Sequence, residues 1–315
     1  MMQILKLIRW QNLLIIALVQ YLIRMVMIEL QLLPDNFIEI PHVLSRFDFF
    51  MGVWCSICLA AAGYVVNDIF DQEVDEQNKP KRRVIGSSLS EKAAWIFYGI
   101  LNVMALVTGY WVARAAGMEN LALLPVVAAV LLYLYAVDLK KRVLIGNLIV
   151  SLLTALPVLL VGVFDVLPAG NPDNAEMVGS VFQFIVGYAC FAFFVNFIRE
   201  ITKDAEDIKG DKNQGYQTLA VVLGASNIRF VLIALGVVLL TFTAYFTYFL
   251  AGEDWISFGY ILGFVCLPIL YFLWLMMLAP SKKTFKKASG LLKLIMLTGI
   301  MTMVVFSFAY KLAMT

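Results

Sequence analysis

The sequence predicts an all-α membrane protein with about nine transmembrane helices. Of its 315 residues, 62% are apolar and 15% are charged, whereas an average soluble domain is about 45–50% apolar and about 25% charged. The mean hydropathy is +0.87. One water-exposed domain of this length could not bury so much apolar surface, so we expect lipid to solvate most of the chain.

Nine apolar stretches follow one another, each close to the ~20 residues that cross about 30 Å of hydrocarbon. The first lacks a small-residue cleavage site, so we expect a retained helix and not a secretory signal. The longer polar connections, at 31–45, 68–92 and 199–225, do not resemble soluble domains, so a single domain over 1–315 is expected. The expected spans are 11–30, 46–68, 93–113, 120–138, 143–165, 178–199, 226–250, 256–278 and 289–311.

The positive charges indicate how these helices are oriented. Short cytoplasmic loops of membrane proteins are enriched in Lys and Arg. In the nine-span interpretation nearly all of the 24 Lys and Arg residues lie on the side of the N-terminus, and the exceptions are Arg24, Arg46, Arg114 and Lys311. We therefore expect a multi-pass protein of the cell membrane with its N-terminus in the cytoplasm.

An acidic cluster directly follows the second expected span. Asn67, Asp71 and Asp75 are spaced i, i+4 and i+8, so a helix continuing through them would carry all three side chains on one face. Asp68 lies beside them and off that face. Carboxylate and amide oxygens are suitable ligands for Mg²⁺, which completes its coordination shell with water and substrate phosphate.

A second acidic cluster follows the sixth expected span, on the same side of the membrane. Asp204, Asp207 and Asp211 are spaced i, i+3 and i+7, again on one helical face. Either cluster alone could be a solvated, helix-ending loop. Two clusters with the same pattern favour a site for divalent cations.

Cations that a metal site alone would not need accompany both clusters. Mg²⁺ together with Lys and Arg can hold a diphosphate and offset the charge that grows as it departs. Positive-inside topology is an equally good explanation for the cation between the fourth and fifth spans. These cations are Lys81, Arg82, Lys140, Arg199 and Lys203.

At these residues the sequence resembles the UbiA superfamily of intramembrane prenyltransferases. That family has an N-D-x-x-D-x-x-x-D segment after its second helix and a second Asp-rich segment after its sixth. The resemblance extends to Arg9 and Asn12 in the first span and covers essentially the whole chain. The residues that match the two motifs are Asn67, Asp68, Asp71, Asp75, Asp204, Asp207 and Asp211.

The resemblance implies an enzyme in which two Mg²⁺ ions bridge a prenyl diphosphate at a site facing the cytoplasm. The segment 199–211 is most similar to the branch that prenylates geranylgeranylglyceryl phosphate, a lipid acceptor. The implied metal ligands are Asn67, Asp71, Asp75, Asp204, Asp207 and Asp211. The implied diphosphate or phosphate ligands are Asn12, Lys81, Arg82, Lys140, Arg199 and Lys203, and the implied catalytic residues are Asp68, Tyr135 and Lys140.

Several of these roles have alternatives. Tyr135 would stabilise an allylic cation through its ring, but tyrosines are also common at membrane interfaces. Asp68 would orient or deprotonate the acceptor, or it could pair with a loop cation. Arg199 and Lys203 would bind the acceptor's phosphate, or they could pair with carboxylates on neighbouring turns.

Two other functions remain compatible with the sequence. The acceptor could be aromatic, as in quinone or haem biosynthesis. Divalent-cation transport is the other, although transporters carry their carboxylates near the bilayer midplane and are commonly built from inverted repeats. The net charge of +2 gives no indication of nucleic-acid binding. Membrane lipids are the expected surroundings, and no obligate protein partner is indicated.

Overall fold

The computed structural model describes residues 2–29, 43–72, 84–251 and 254–313, and in these ranges the chain is helical and forms no strand. The predicted all-α class is therefore confirmed. The α-helices are α1 (Met2–Leu7), α2 (Trp10–Leu22), α3 (Arg46–Phe70), α4 (Glu91–Ala115), α5 (Leu124–Val137), α6 (Ile145–Val161), α7 (Ala175–Asn213), α8 (Leu219–Ala251), α9 (Trp255–Ile261), α10 (Leu267–Met277) and α11 (Lys282–Ala313).

Eight helical segments in the described ranges are long and apolar enough to span a membrane. A shorter apolar helix, Trp10–Val26, corresponds to the first expected span. The protein is thus a multi-pass helical membrane protein, as predicted. The side of the membrane on which its N-terminus lies stays a prediction.

Polar residues determine where several of these helices begin. The Ser45 hydroxyl accepts a hydrogen bond from the Asp48 backbone N–H (3.1 Å), and α3 starts directly after it. Ser90 accepts in the same way from Ala93 (3.2 Å) at the start of α4. These side chains satisfy backbone donors that would otherwise lack partners at the helix N-terminus.

The helices depart from regular geometry at places that the hydropathy pattern did not predict. α2, α6 and α9 each continue into a π-helical segment, at Ile23–Glu29, Gly162–Val166 and Leu262–Cys266. α8 is kinked at Gly224, which adopts φ 75°, a backbone conformation that glycine tolerates. α7 is longer than expected, because it continues to Asn213 through the second acidic cluster.

The chain divides into two compact units. The first unit comprises Met1–Tyr21, Phe37–Lys140 and Pro157–Phe182, and in it α3 packs against α4 and α5. The second unit comprises Leu22–Asn36, Lys141–Leu156 and Gln183–Thr315. α10 packs there against α8 and α11 around a core of buried apolar side chains that includes Leu232, Leu239, Phe272, Phe285 and Ile295. The expectation of one domain over the whole chain stays a prediction.

Glycine allows close helix packing in the first unit. A Cβ atom on Gly109 of α4 would lie 2.3 Å from Pro125 Cγ and 3.2 Å from Cys55 Sγ. Gly109→Ala is therefore expected to reduce stability by about 1–3 kcal/mol through overpacking. Gly99→Ala in the same helix is the matched control, because its Cβ would have no neighbour within 4 Å. Thermal unfolding of the two purified variants in detergent measures their stability. Equal unfolding midpoints for Gly109→Ala and Gly99→Ala would contradict the prediction.

Candidate active site

The first group of site residues lies at the C-terminal end of α3, in the first unit. Asp71 caps the helix, and its backbone N–H donates to the Asn67 carbonyl at 3.0 Å. The Asn67 side-chain amide donates to Asp71 Oδ2 at 2.8 Å. The two side chains therefore share a face, in agreement with their spacing. Three further predicted site residues, Asp75, Lys81 and Arg82, lie outside the described residues.

Lys140 reaches this pair from the 3₁₀ turn Leu139–Lys141, directly after α5. Its ammonium nitrogen donates to Asp71 Oδ1 at 2.5 Å and to Asn67 Oδ1 at 3.1 Å. The Lys140 and Asp71 side chains are only 10% and 19% exposed, so water screens their attraction less than it would at a surface. The structure thus brings together a carboxylate, an amide and an ammonium group.

Asp68 has a different partner from its neighbours on α3. Arg9 Nη2 donates to Asp68 Oδ1 at 3.1 Å, and the Arg9 guanidinium lies 4.6 Å from the centroid of the Tyr64 ring. Asn12 donates to the Tyr64 hydroxyl at 3.0 Å. These contacts correspond to the alternative in which Asp68 pairs with a cation.

Arg9 is a residue for which the sequence predicted no role. It lies between α1 and α2 with φ 50°, in the left-handed region that few residues other than glycine adopt. Such conformations persist where the surrounding structure holds them and are common at functional sites. The only sequence signal was its match to the UbiA pattern in the first span.

Tyr135 is the remaining predicted catalytic residue of the first unit. It lies on α5 and is half-buried, five residues before Lys140 in the sequence. Its contribution to stabilising an allylic cation stays a prediction.

The second group of site residues lies near the C-terminal end of α7, in the second unit. Because α7 is helical to Asn213, the spacing of Asp204, Asp207 and Asp211 does place them on one face. Asp207 contacts the exposed ammonium group of Lys282 at 3.3 Å. Asp211 Oδ2 accepts a hydrogen bond from the Thr218 hydroxyl at 3.3 Å.

Asp204 is held by an amide on a neighbouring helix. Asn147 of α6 donates to Asp204 Oδ2 at 2.8 Å. A further polar contact joins the two helices, because Asn196 of α7 donates to the Thr154 hydroxyl at 3.2 Å. Within α6, the Ser151 hydroxyl donates to the Asn147 carbonyl at 2.6 Å. Sequence reasoning did not identify Asn147 as a neighbour of the acidic cluster, because Asn147 and Asp204 are 57 residues apart.

Burial affects the ionisation of Asp204. α7 has 39 residues and rises about 58 Å, so its polar end extends beyond about 30 Å of hydrocarbon. Asp204 lies in this end, outside the apolar stretch 178–199. Burial is the main cause that raises the pKa of Asp204 to about 7; the Glu200 and Asp211 carboxylates act in the same direction, and the hydrogen bond from Asn147 opposes them. A cation bound here would stabilise the ionised form.

Arg199 and Lys203 both contact Glu200. Arg199 Nη1 donates to Glu200 Oε1 at 3.1 Å, and Lys203 Nζ donates to the same oxygen at 2.6 Å. These contacts correspond to the alternative in which the two cations pair with a nearby carboxylate. Arg199 Nε is buried and has no hydrogen-bond partner among the described residues, so one of its donors remains available.

Within the described ranges, no three His, Cys, Asp or Glu side chains form a group that could hold a metal ion by themselves. Each group instead offers carboxylate oxygens, and the first adds an amide oxygen. Mg²⁺ is commonly held by one or two carboxylates together with substrate phosphates and water, whereas zinc and copper favour nitrogen and sulfur ligands. The donor set therefore fits Mg²⁺ bound jointly with a phosphorylated substrate.

The fold and these two groups define an intramembrane enzyme class in which carboxylates and cations lie at the polar ends of apolar helices. The chain belongs to the UbiA prenyltransferase family, whose family model matches residues 37–310. It is therefore a membrane prenyltransferase, and the expected resemblance to this family is confirmed.

Relatives and solved structures agree with this membership. A digeranylgeranylglyceryl phosphate synthase of Sulfolobus acidocaldarius is 33% identical over 264 residues, covering 82% of this chain and 84% of the relative. One from Methanosphaera stadtmanae is 27% identical over 82% of this chain and 87% of the relative. A solved structure of digeranylgeranylglyceryl phosphate synthase has a TM-score of 0.68, 26% identity and 97% coverage of both chains.

More distant structures share the fold. A UbiA homologue of Archaeoglobus fulgidus, solved with GPP and Mg²⁺, has a TM-score of 0.57 and 15% identity, and the match covers 96% of this chain and 99% of that one.

Proposed function

We propose that this protein transfers a geranylgeranyl-type prenyl group from its diphosphate to geranylgeranylglyceryl phosphate, with Mg²⁺ as cofactor and diphosphate as leaving group. The observation that carries this proposal is the pairing of carboxylates with amide and ammonium groups at the polar ends of α3 and α7. The relatives named digeranylgeranylglyceryl phosphate synthase support the choice of acceptor. The distribution of Lys and Arg supports a site on the cytoplasmic side of the cell membrane.

Two Mg²⁺ ions are proposed, one for each acidic group. Asn67, Asp71 and Asp75 would hold one, and Asp204, Asp207 and Asp211 would hold the other. When bound, Mg²⁺ would supply positive charge to the departing diphosphate. Lys140 already places an ammonium group against the Asp71 carboxylate. Lys81 and Arg82, which follow the first acidic cluster in the sequence, would add further cations.

The proposed reaction begins when the allylic C–O bond breaks and its electron pair stays on the diphosphate oxygen. Lys140 stabilises that charge in a site largely shielded from water. The face of the Tyr135 ring stabilises the allylic cation. The acceptor hydroxyl then forms the new C–O ether bond, and Asp68 takes the proton that the hydroxyl loses.

The acceptor carries a phosphate of its own, which needs donors separate from those that bind the diphosphate. Arg199 and Lys203 are suitable because Glu200 holds both side chains and leaves the buried Arg199 Nε available. Guanidinium geometry matches phosphate oxygens. Asn12, held at the Tyr64 hydroxyl in the first unit, is a further polar group for the phosphorylated ends.

Labelled transfer tests this function. Purified protein is incubated with Mg²⁺, radiolabelled geranylgeranyl diphosphate and either geranylgeranylglyceryl phosphate or a hydroxybenzoate. We expect label only in the glycerol-phosphate lipid. Label only in the aromatic acid would contradict the proposal and favour a role in quinone or haem biosynthesis.

A variant of Arg199 tests how the acceptor is recognised. Arg199→Gln is expected to raise KM for the phosphorylated acceptor by about tenfold, because one charge-assisted contact is lost. The change in kcat should be smaller. The preference for phosphorylated over dephosphorylated acceptor should fall with it. Lys209→Met is the matched control, since Lys209 is an exposed cation on the same helix. An unchanged preference in Arg199→Gln would exclude Arg199 from phosphate binding.

A further inference from the structure

The first unit contains an apolar cavity that the proposed chemistry does not use. Its empty volume is about 480 Å³, including its mouth, and it lies near the N-terminal end of α3, opposite to Asp71. The polar group of Gln20 at its wall is satisfied internally, because its amide donates to the Ile16 carbonyl at 3.0 Å and its oxygen accepts from Ser56 at 3.3 Å. Other lining residues are Phe49, Gly52, Val53, Val112, Pro125 and Phe164.

One face of α3 connects this cavity with Asp71. Val53, which lines the cavity, is five helical turns from Asp71, so the two residues lie on the same face about 27 Å apart. Ile57, Ala60 and Tyr64 lie between them at helical spacing on that face. All three are half-buried, whereas residues 61, 62, 65 and 66 beside them are buried. The face is therefore a partly open stripe of apolar and aromatic surface.

We propose that this cavity receives the terminal isoprene unit of the prenyl donor, and that Gly52 sets the longest chain accepted. This inference rests on the proposed function. A donor with four isoprene units is about 20 Å long when extended, from C–C bonds of about 1.5 Å, and its diphosphate adds about 5 Å. The sum is close to the separation of Val53 and Asp71. A donor of two units ends about halfway along the stripe.

A larger residue in place of Gly52 would extend its side chain into the cavity, because Gly52 lines it. A Cβ atom there would lie 3.7 Å from both Val112 methyl groups, an ordinary contact distance, and nothing else is nearer. The opposite holds at Gly109, where a Cβ atom would overlap Pro125. Substitution of Gly52 therefore fills empty space without displacing a packed neighbour.

Variants of Gly52 test the inference with donors of two, three and four isoprene units and one acceptor. For Gly52→Leu, kcat/KM with the four-unit donor is expected to fall about tenfold (about 1.4 kcal/mol), because the leucine side chain occupies the space that the terminal isoprene unit would fill, while the two-unit donor is unaffected. Gly52→Ala should give a smaller change in the same direction. Gly99→Leu is the control for a larger side chain outside the cavity, since its Cβ would meet no neighbour.

A second apolar cavity gives a competing location. It lies in the second unit and is lined by residues that include Phe191, Phe246 and Val265. If Val265→Leu changed the donor preference and Gly52→Leu did not, the inference would be overturned. Absence of transfer by the wild-type protein from every donor would instead contradict the proposed function.

Photoaffinity labelling provides a measurement that does not depend on folding of the variants. A four-unit diphosphate with a diazirine at its hydrocarbon end is irradiated with wild-type protein, and labelled peptides are identified by mass spectrometry. We expect label on the segments around Gly52 and Val112. Label confined to α8 and α11 would overturn the inference.

Discussion

Asp71→Ala is expected to lower prenyl transfer to about one thousandth of wild-type turnover or less, while the protein stays folded. Asp71 carries the carboxylate of the first group, contacts the Asn67 amide at 2.8 Å and forms the largely shielded ion pair with Lys140. Its removal takes away a proposed Mg²⁺ ligand and the ion pair between Asp71 and Lys140. Losing one such preorganised charge commonly costs about 10²–10³ in rate, and loss of the metal adds to it.

The fold should survive because the substitution is at the helix end. The Asp71 backbone N–H still caps α3 through the Asn67 carbonyl, and Lys140 keeps its contact with Asn67 Oδ1 at 3.1 Å. Size-exclusion chromatography and thermal unfolding check folding, and labelled product measures turnover. Asp173→Ala is the control, since Asp173 is an exposed acidic residue outside both groups. Robust activity of Asp71→Ala, or of the wild type in EDTA, would contradict the metal–diphosphate mechanism.

The membrane fold could be predicted because each span must be apolar along most of its length, whatever it packs against. The same reasoning could not predict the π-helical segment Gly162–Val166 or the kink at Gly224, because both are local departures inside an apolar run. Nor could it predict that α7 remains helical through its charged end. That continuation is what keeps Asp204, Asp207 and Asp211 on one face.

Contacts within one helix were predictable at the site, and contacts between helices were not. The i, i+4 spacing of Asn67 and Asp71 predicts their proximity. The contact of Lys140 with Asp71 joins residues 69 apart, and the contact of Asn147 with Asp204 joins residues 57 apart. Both depend on how helices pack, which a linear pattern does not contain. Family resemblance identified Lys140 in advance, and it supplied no role for Asn147.

Asp204→Asn is expected to lower turnover by about 10²–10³-fold and yet stabilise the metal-free protein. Asp204 is half-buried, and desolvation together with the nearby Glu200 and Asp211 carboxylates disfavours its charge. An amide of the same shape removes that repulsion and the cost of burying a charge. Its oxygen can still accept the hydrogen bond that Asn147 donates at 2.8 Å. A gain of at least a few degrees in the unfolding midpoint is expected, because raising a pKa by one unit corresponds to about 1.4 kcal/mol and about 1 kcal/mol already shifts the midpoint by roughly 2–4 °C in a large domain.

The gain in stability should depend on pH. Because the pKa of Asp204 is raised to about 7 in the folded protein, the folded state holds its proton more tightly than the unfolded state, where the carboxyl titrates near 3.9. Wild-type stability therefore falls as pH rises between these values. The advantage of Asp204→Asn should be smallest near pH 5 and largest at pH 8, as measured by thermal unfolding in EDTA.

Asp207→Asn is the matched control for this prediction. Asp207 lies on the same face of α7 but is 43% exposed and pairs with Lys282, so its charge is solvated and the substitution should give no gain in stability. Added Mg²⁺ should stabilise the wild type more than Asp204→Asn, because only the wild type carries the Asp204 carboxylate that a cation would neutralise. If Asp204→Asn were less stable than the wild type in EDTA at pH 8, the buried charge would not be the source of strain, and Asp204 would be a structural residue.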